Sequence, residues 1–342
     1  MKFGAVTLDE AIGGIAVHTV RHADLVIKKG VTVTAAHVEH LRALQIEHIV
    51  VARLEAGDVA ENEAAHTLAT AFAGANLRLQ RPFTGRCNVF ATCAGLLLVD
   101  TPSIDGVNEA DERLTVATLP AWRQVADGEM VATIKVIPYA VPAQLLAAVA
   151  ALARRHPLRV AAFSPLRVGV ISTLLPGLKG TVIDKTLRVL EQRLRAAQAT
   201  IVRASRVAHE TTALAAALAE TASGCDIVVV FGASAIADRR DVIPAALEAV
   251  GGEIEQMGMP VDPGNLLLVG RLMCGGRAVQ VLGAPGCARS PKENGFDWVL
   301  NRLLAGMAVT SRDIRRMGVG GLLSEIPHRG QARAGDGKAP QE

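Results

Sequence analysis

The stretch "CDIVVVFGASAIADRRD", Cys225–Asp241, decides the fold. Its apolar run "IVVVF" shows no alternation, so both faces of the strand it predicts need apolar cover. Continuous Val/Ile runs of this kind belong to parallel sheets covered on both sides. The run stops at Gly232, Ala233, Ser234 and Ala235, whose small size permits a sharp turn or a close approach to a ligand. Asp238, Arg239, Arg240 and Asp241 follow, and "DVIPAALEAVGG" then reads as a helix ended by glycines. The segment is therefore strand, loop and helix. Its loop is either a plain connection or a ligand cradle.

The same alternation extends outward from Leu166. "LRVGVIST" (166–173), "ATIVRAS" (199–205) and "QVLGAPG" (280–286) read as strands or strand ends. "DKTLRVLEQRLRAAQ" (184–198), with Leu187, Leu190 and Leu194 on one face, reads as a helix. So do "TTALAAALAETAS" (211–223), capped by Thr211 or Thr212, and "ENGFDWVLNRLLAG" (293–306). Strands alternating with helices of this length predict right-handed crossovers and a mostly parallel sheet. The expected class is α/β, with residues 164–328 as one domain.

Residues 1–163 predict a smaller α+β region. Thr7 opens a helix, "VTVT" (31–34) is a short strand, and Thr34 caps the helix "AAHVEHLRALQ". "HIVVARL" is a strand and "ENEAAHTLATAFAG" a helix. In 83–163, "GLLLVD", "RLTVATL", "MVATIKVIPYAV" and "RVAAFS" are expected strands. "PAQLLAAVAALARRH" is an expected helix opening at Pro142. The turn-rich "DTPSIDGVNEADE" (100–112) predicts a surface loop. The polar, glycine-rich end, 329–342, predicts a disordered tail.

Composition narrows the function classes. The chain has 342 residues, half of them apolar, and a net charge of +3. That charge, without a basic block interleaved with aromatics, argues against a nucleic-acid partner. The apolar stretch "VPAQLLAAVAALA" falls short of the roughly 18 residues a membrane helix needs, so no membrane partner is expected. "MKFGAVTLDE" has no apolar run before its first acids, which predicts a cytoplasmic location. Cys87 and Cys93 are spaced too loosely for a zinc pair, and reduced, structural cysteines are expected. His18, His22, His37 and His40 have no coherent partner set, and no metal site is assigned to them.

Ligands of open α/β sheets bind outside the carboxyl ends of the strands. That rule selects four loops: "STLLPGLKGTVIDK" (172–185), "FGASAIADRRD" (231–241), "MPVDPGNLLLVGRL" (259–272) and "GAPGCARSPKENG" (283–295). Backbone N–H groups at helix starts attract anions, and small residues let the anion approach. Arg289, Ser290 and Lys292 add side-chain donors. A phosphorylated or otherwise anionic small molecule suits such a rim. The three-glycine dinucleotide fingerprint and the P-loop lysine motif are both absent.

The order and spacing of these loops resembles the molybdopterin-binding domain of molybdenum-cofactor biosynthesis proteins, the MoeA/gephyrin type and its smaller Mog relatives. "STLLPG" followed by Gly180 and Asp184 is similar to that family's "STGDEL" and Gly-x-x-x-Asp. "VVVFGASAIADRRD" is similar to its "GGVSVGxxD", with Gly232, Ser234 and Asp241 matching. "DPGNLLLVGRL" matches at Pro263, Gly264 and Gly270, and "GAPGCARS" at Pro285, Gly286 and Ser290. The likeness spans about Leu166–Gly306, with a weaker MoeA-like echo at 1–55; residues 83–163 find no place in it.

The resemblance implies a three-layer αβα domain that binds molybdopterin, a pterin phosphate, or its nucleotide form, in cofactor biosynthesis or maturation. Implied ligand-binding residues are Thr173, Asp184, Gly232, Ala233, Ser234, Pro263, Gly264, Asn265, Pro285, Gly286, Arg289, Ser290 and Lys292. Asp241 is the implied catalytic acid, placed to hold magnesium through water or to hydrogen-bond the ligand; the alternative is a helix-terminal acid that stabilises the macrodipole. Arg289 and Lys292 would neutralise phosphate. Longer bacterial proteins that resemble this chain continue into a cytidylyltransferase-like domain, which implies such a domain or protein as a partner. A homo-oligomer is implied too.

Departures from the pattern keep the activity open. Leu174 and Leu175 stand where the family carries Asp-Glu, thought to help metal insertion, and leucine neither ligates a metal nor moves a proton. Ala233 replaces the second glycine of "GG". Molybdate or nucleotidyl transfer, in the manner of a molybdopterin molybdotransferase, therefore competes with a carrier or sensor that binds without catalysis. Further alternatives are a relative of the pyridine-nucleotide hydrolases, whose "GGLGPTxDD" loop fits poorly here, and an interaction module with a dead pocket.

Overall fold

The computed structural model describes residues 1–22, 25–177 and 180–323; the tail 329–342 lies outside the described residues. The chain divides into two compact units, Met1–Ala162 and the part from Phe163 onward.

The first unit is α+β and has two cores. Near its start, strand Lys2–Thr7 pairs antiparallel with His48–Arg53, and helix Ala35–Ala43 packs Val38 and Leu41 beneath them. Thr34 caps that helix, accepting the His37 N–H at 3.3 Å. The expected strand at 31–34 is reduced to one isolated bridge, Ile15 to Thr32. The larger core joins a four-stranded antiparallel sheet, a three-stranded sheet and helices Glu61–Phe72, Thr101–Ala110 and Ala143–Arg155.

Helix Thr101–Ala110 corrects the expected loop at 100–112. Asp, Pro, Ser and Gly there are turn formers, but three of them serve a helix start. Asp100 is its N-cap, accepting the Ser103 N–H at 3.1 Å, and Pro102 sits in the first turn, where a missing N–H costs nothing. Ile104 and Val107, one turn apart, are both buried. Asn108 clamps the helix to strand Leu114–Thr118 through two bonds to the Val116 backbone, 2.8 and 3.0 Å.

The second unit is a three-layer αβα sandwich. Its elements are β1 (Arg167–Leu174), α1 (Gly180–Leu194), β2 (Thr200–Ala208), α2 (Thr211–Ala222), β3 (Ile227–Phe231), α3 (Val242–Ala249), β4 (Glu253–Met257), β5 (Leu268–Cys274), β6 (Arg277–Ala284), α4 (Gly295–Leu304) and α5 (Ser311–Arg315). The six-stranded sheet runs β2-β1-β3-β6-β5-β4. β2, β1, β3 and β6 are mutually parallel, whereas β5 runs antiparallel to β6 and β4 antiparallel to β5.

All five residues of β3 are buried. Ile227, Val229 and Phe231 face a core built with α1 and α4, while Val228 and Val230 face one built with α2 and α3. The strand alternates between two apolar layers, as an unbroken apolar run requires. Two smaller expectations shift. α2 starts after Glu210 and has no side-chain cap, so neither Thr211 nor Thr212 caps it. The segment 259–272 is a loop only in its first half, because the buried run from Leu268 pairs as β5.

Removing the cap of helix Thr101–Ala110 should be mild and removing its anchor severe. Asp100→Ala is expected to cost about 1 kcal/mol. Ile104→Ala should cost about 2–5 kcal/mol. Urea unfolding measures both; equal effects would show that the helix is not seated through Ile104.

Candidate ligand-binding edge

The carboxyl ends of the parallel strands share one edge of the sheet. β5 begins there as well, since Leu268 pairs with Gly283 near the end of β6. The four loops selected from sequence therefore meet at this edge, though residues 178 and 179 of the first lie outside the described residues. A fifth segment, opening at His209 after β2, joins them.

His209 links two of the candidate residues. Its Nδ1 lies 2.8 Å from Thr173 Oγ1 at the end of β1, and its Nε2 lies 2.8 Å from Ser234 Oγ. Thr173 is 1% exposed and also accepts the Ala233 N–H at 2.9 Å. One side chain thus fixes the loop after β3 to the end of β1. Sequence reasoning missed His209; its place directly after a strand of the parallel set was the available signal.

Asp241 is the N-cap of α3, yet its carboxylate turns back rather than along the helix. Oδ2 accepts the N–H groups of Ala237 and Asp238, at 2.6 and 2.8 Å. These two bonds, Ala237's first, hold its carboxyl below the usual carboxylate range. The acid expected to act on ligand is committed to shaping its own loop. Asp238 pairs with Arg240 at 2.7 Å, and Arg239 reaches Glu248 at 3.4 Å. No three His, Cys, Asp or Glu residues converge as a metal site among the described residues. Asp238, whose charge also acts on Asp241, is paired with Arg240, and Asp241 Oδ2 is engaged by two backbone N–H groups.

Gly232 sits where a side chain would collide: a Cβ there would stand 2.8 Å from the Ser234 carbonyl oxygen and 2.9 Å from Ile243. Its own carbonyl accepts from Arg289 at 2.8 Å. Arg289 also donates to Thr186 Oγ1 at 3.2 Å and lies 5.3 Å from the centre of the Phe231 ring. Burial pushes its guanidinium below the ordinary arginine value. Arg289 thus binds the loop after β6 to the loop after β3.

Arg193, absent from the sequence candidates, organises the rest of that loop. Its guanidinium donates to the carbonyls of Ala288 (2.9 Å), Ser290 (2.7 Å) and Lys292 (3.3 Å), and pairs with Asp297. The Arg193 and Asp297 side chains are 10% and 15% exposed. Asn294, 1% exposed, caps α4 by accepting the Phe296 N–H at 3.1 Å. Pro285 is buried, while Gly286 and Lys292 are exposed on the outside of the loop, with Ser290 half-buried between them.

Pro263, Gly264 and Asn265 have a packing role. The Pro263 carbonyl accepts the Gly295 N–H at 2.8 Å, and the Asn265 carbonyl accepts the Met259 N–H at 2.9 Å. Gly264 has φ +141°, and a Cβ there would stand 2.7 Å from the Gly295 nitrogen. Only glycine allows the loop to lie against the start of α4.

An open cleft of about 510 Å³ lies beside His209, lined by residues 174–177 and 206–210. Leu174 and Leu175 form part of its wall, and Leu175 is 49% exposed. Arg206, on the opposite wall, pairs with Asp184 at 2.6 Å.

Arg193→Ala should destabilise the protein by about 3–5 kcal/mol, because it leaves Asp297 without its cation and takes the guanidinium donor from the Ala288 and Ser290 carbonyls. Arg193→Lys should recover little, since an ammonium lacks the planar fork. Chemical denaturation tests both; a near-neutral Arg193→Ala would refute the organising role. Asp241 gives a pH signature. Its folded-state value is lowered, so its stabilisation is present at neutral pH and lost as the pH falls below roughly 4. Asp241→Asn should therefore lower the thermal midpoint at pH 7, with the gap closing towards pH 3. A gap that persisted at pH 3 would exclude ionisation as its source.

Residues 169–306 match the family model described as a probable molybdopterin binding domain. No curated protein matches the chain in sequence. Among solved structures, a molybdenum cofactor biosynthesis protein from Pyrococcus furiosus is 12% identical over 90% of this chain and 66% of its own, with a TM-score of 0.26. The chain thus spans just under two thirds of that protein. A molybdopterin biosynthesis MoeA protein from Pyrococcus horikosii is 15% identical, covering 89% and 75%, with a TM-score of 0.31. A putative molybdenum cofactor biosynthesis protein from Corynebacterium diphtheriae is 16% identical, covering 42% and 99%, with a TM-score of 0.32. Scores this low leave the family model as the finding with weight. The second unit carries a domain of the probable molybdopterin-binding family, and the edge described above is that domain's carboxyl edge.

Proposed function

We propose that the second unit binds molybdopterin, or its nucleotide form, at the carboxyl edge and serves molybdenum-cofactor biosynthesis or maturation. One observation carries the reading: the family match over 169–306 covers the sandwich that gathers the five loops except for the first two residues of β1 and the helix α5. Ala233, Ser234 and Gly286 present small groups at the edge, and Lys292 is exposed on the loop after β6. Molybdate or nucleotidyl transfer is the activity this reading admits. Such transfer depends on positioned cations more than on covalent help from the protein. A cytidylyltransferase-like partner and a homo-oligomer belong to the same proposal.

A carrier that holds the pterin unchanged is the second reading. Leu174 and Leu175 on the cleft wall favour it, as does the commitment of Asp241 to its own loop. No helix among the described residues is long and apolar enough to cross a membrane, which is compatible with either reading.

Titration of the full chain with molybdopterin and with its nucleotide should give saturable binding at micromolar ligand; no saturation would sink the proposal. Incubating the pterin-loaded protein with molybdate separates the readings. Molybdate insertion would defeat the carrier, and unchanged pterin would support it.

A further inference from the structure

Thr173, His209 and Ser234 form a hydrogen-bonded chain whose direction follows from burial. The Thr173 hydroxyl is 1% exposed, and its oxygen already accepts the Ala233 N–H at 2.9 Å. Its remaining partner among the described residues is His209 Nδ1, at 2.8 Å. The hydroxyl hydrogen therefore has one acceptor, that nitrogen. Turned elsewhere, it would be a buried donor without a partner, which costs as much as desolvating the group. With Nδ1 accepting, the neutral ring carries its hydrogen on Nε2. Nε2–H then donates to Ser234 Oγ at 2.8 Å. Ser234, an exposed residue, is left with its own hydrogen directed away from His209.

We infer that Ser234 is an outward-aimed donor for an anionic oxygen of the ligand, a phosphoryl or other tetrahedral oxyanion, and that His209 is the positioning residue that fixes this polarity. The serine–histidine–hydroxyl order looks like that of a hydrolase, but the polarity is opposite. A nucleophilic serine hands its proton to histidine, and the histidine's other N–H must then find an acceptor. Here that acceptor would be Thr173 Oγ1, and the buried Thr173 hydrogen would lose its only partner among the described residues. The neighbouring cleft is lined by Arg206, which pairs with Asp184 at 2.6 Å, and by Glu210. This inference deepens the pterin reading and rests on it only for which oxyanion is bound.

The full chain labelled with ¹⁵N-histidine tests the polarity without any substitution. Long-range ¹H–¹⁵N correlation at pH 8 should show His209 as the Nε2–H tautomer; an Nδ1–H tautomer overturns the inference. Titration with inorganic phosphate, followed at the Ser234 amide or its replacement, should saturate in the unmodified protein. Ser234→Ala should bind phosphate roughly tenfold more weakly, the loss of one hydrogen bond to a charged group. His209→Phe should weaken binding although Ser234 is retained. His209→Gln, with an amide N–H near the Nε2 position, should keep most of the affinity. Equal binding by the parent and Ser234→Ala, or no binding by the parent, overturns the inference. Phosphate binding without molybdopterin binding would retain it and sink the pterin reading instead.

Discussion

The central constraint on the second unit is the two-sided burial of β3. Ile227, Val229 and Phe231 need an apolar layer on one side, and Val228 and Val230 need another on the opposite side. A single strand cannot supply either layer, so helices must cross both faces of the sheet. Helices on both faces imply crossover connections, and crossovers keep β2, β1 and β3 parallel, while β6 comes parallel to β3 through the antiparallel run β4–β5–β6. Parallel strands end on the same side. The loops after β1, β2, β3 and β6 therefore converge at one edge, with the start of β5 beside them. The site follows from where apolar surface must be covered, before any polar residue is considered.

That chain of consequences explains what was legible from residues alone. The run "IVVVF" and the helical spacing of Leu187, Leu190 and Leu194 report burial, and burial fixes the layers. The loop–strand boundary at Leu268 was less legible. A run such as "LLLVGRL" is compatible with either antiparallel pairing or a packed loop until its partner, β6, is known. Helix Thr101–Ala110 was hidden for a different reason. Asp100, Pro102 and Ser103 favour both turns and helix starts, and only the burial of Ile104 and Val107 decides between the two.

Site residues divide in the same manner. Gly232, Gly264 and Thr173 were singled out by the family resemblance, and the structure gives each a close approach or a buried hydroxyl that fixes its residue type. Arg193 and His209 were not. Each acts on loops distant in sequence, Arg193 on carbonyls about a hundred positions away and His209 on Ser234 and Thr173. A pattern read along the chain registers that an arginine or histidine is present, but not where its donors are spent. Arg289 shows the converse. Its place beside a glycine turn suggested an anion ligand, whereas its guanidinium is turned to the Gly232 carbonyl and Thr186.

The polarity of the edge follows from how its carboxylates are used. Asp241 accepts two backbone N–H groups, Asp184 pairs with Arg206, Asp238 with Arg240, and Asp297 with Arg193. Each of these four acids answers a donor of the protein itself, which lowers the repulsion an incoming anion meets, whereas Glu210 stands exposed on the cleft. Leu174 and Leu175 add no further acceptor on the cleft side. Ser234 and Lys292 remain on the exposed side of the loops, and both are donors, the serine through the hydrogen His209 does not use. Donors at such an edge, with these four acids occupied, suit an anion such as phosphate better than they suit proton abstraction. Its chemistry favours holding an anionic ligand in a defined pose, and any reaction on that ligand must draw its acid, base or metal from the ligand, a metal ion or a partner that meets this edge.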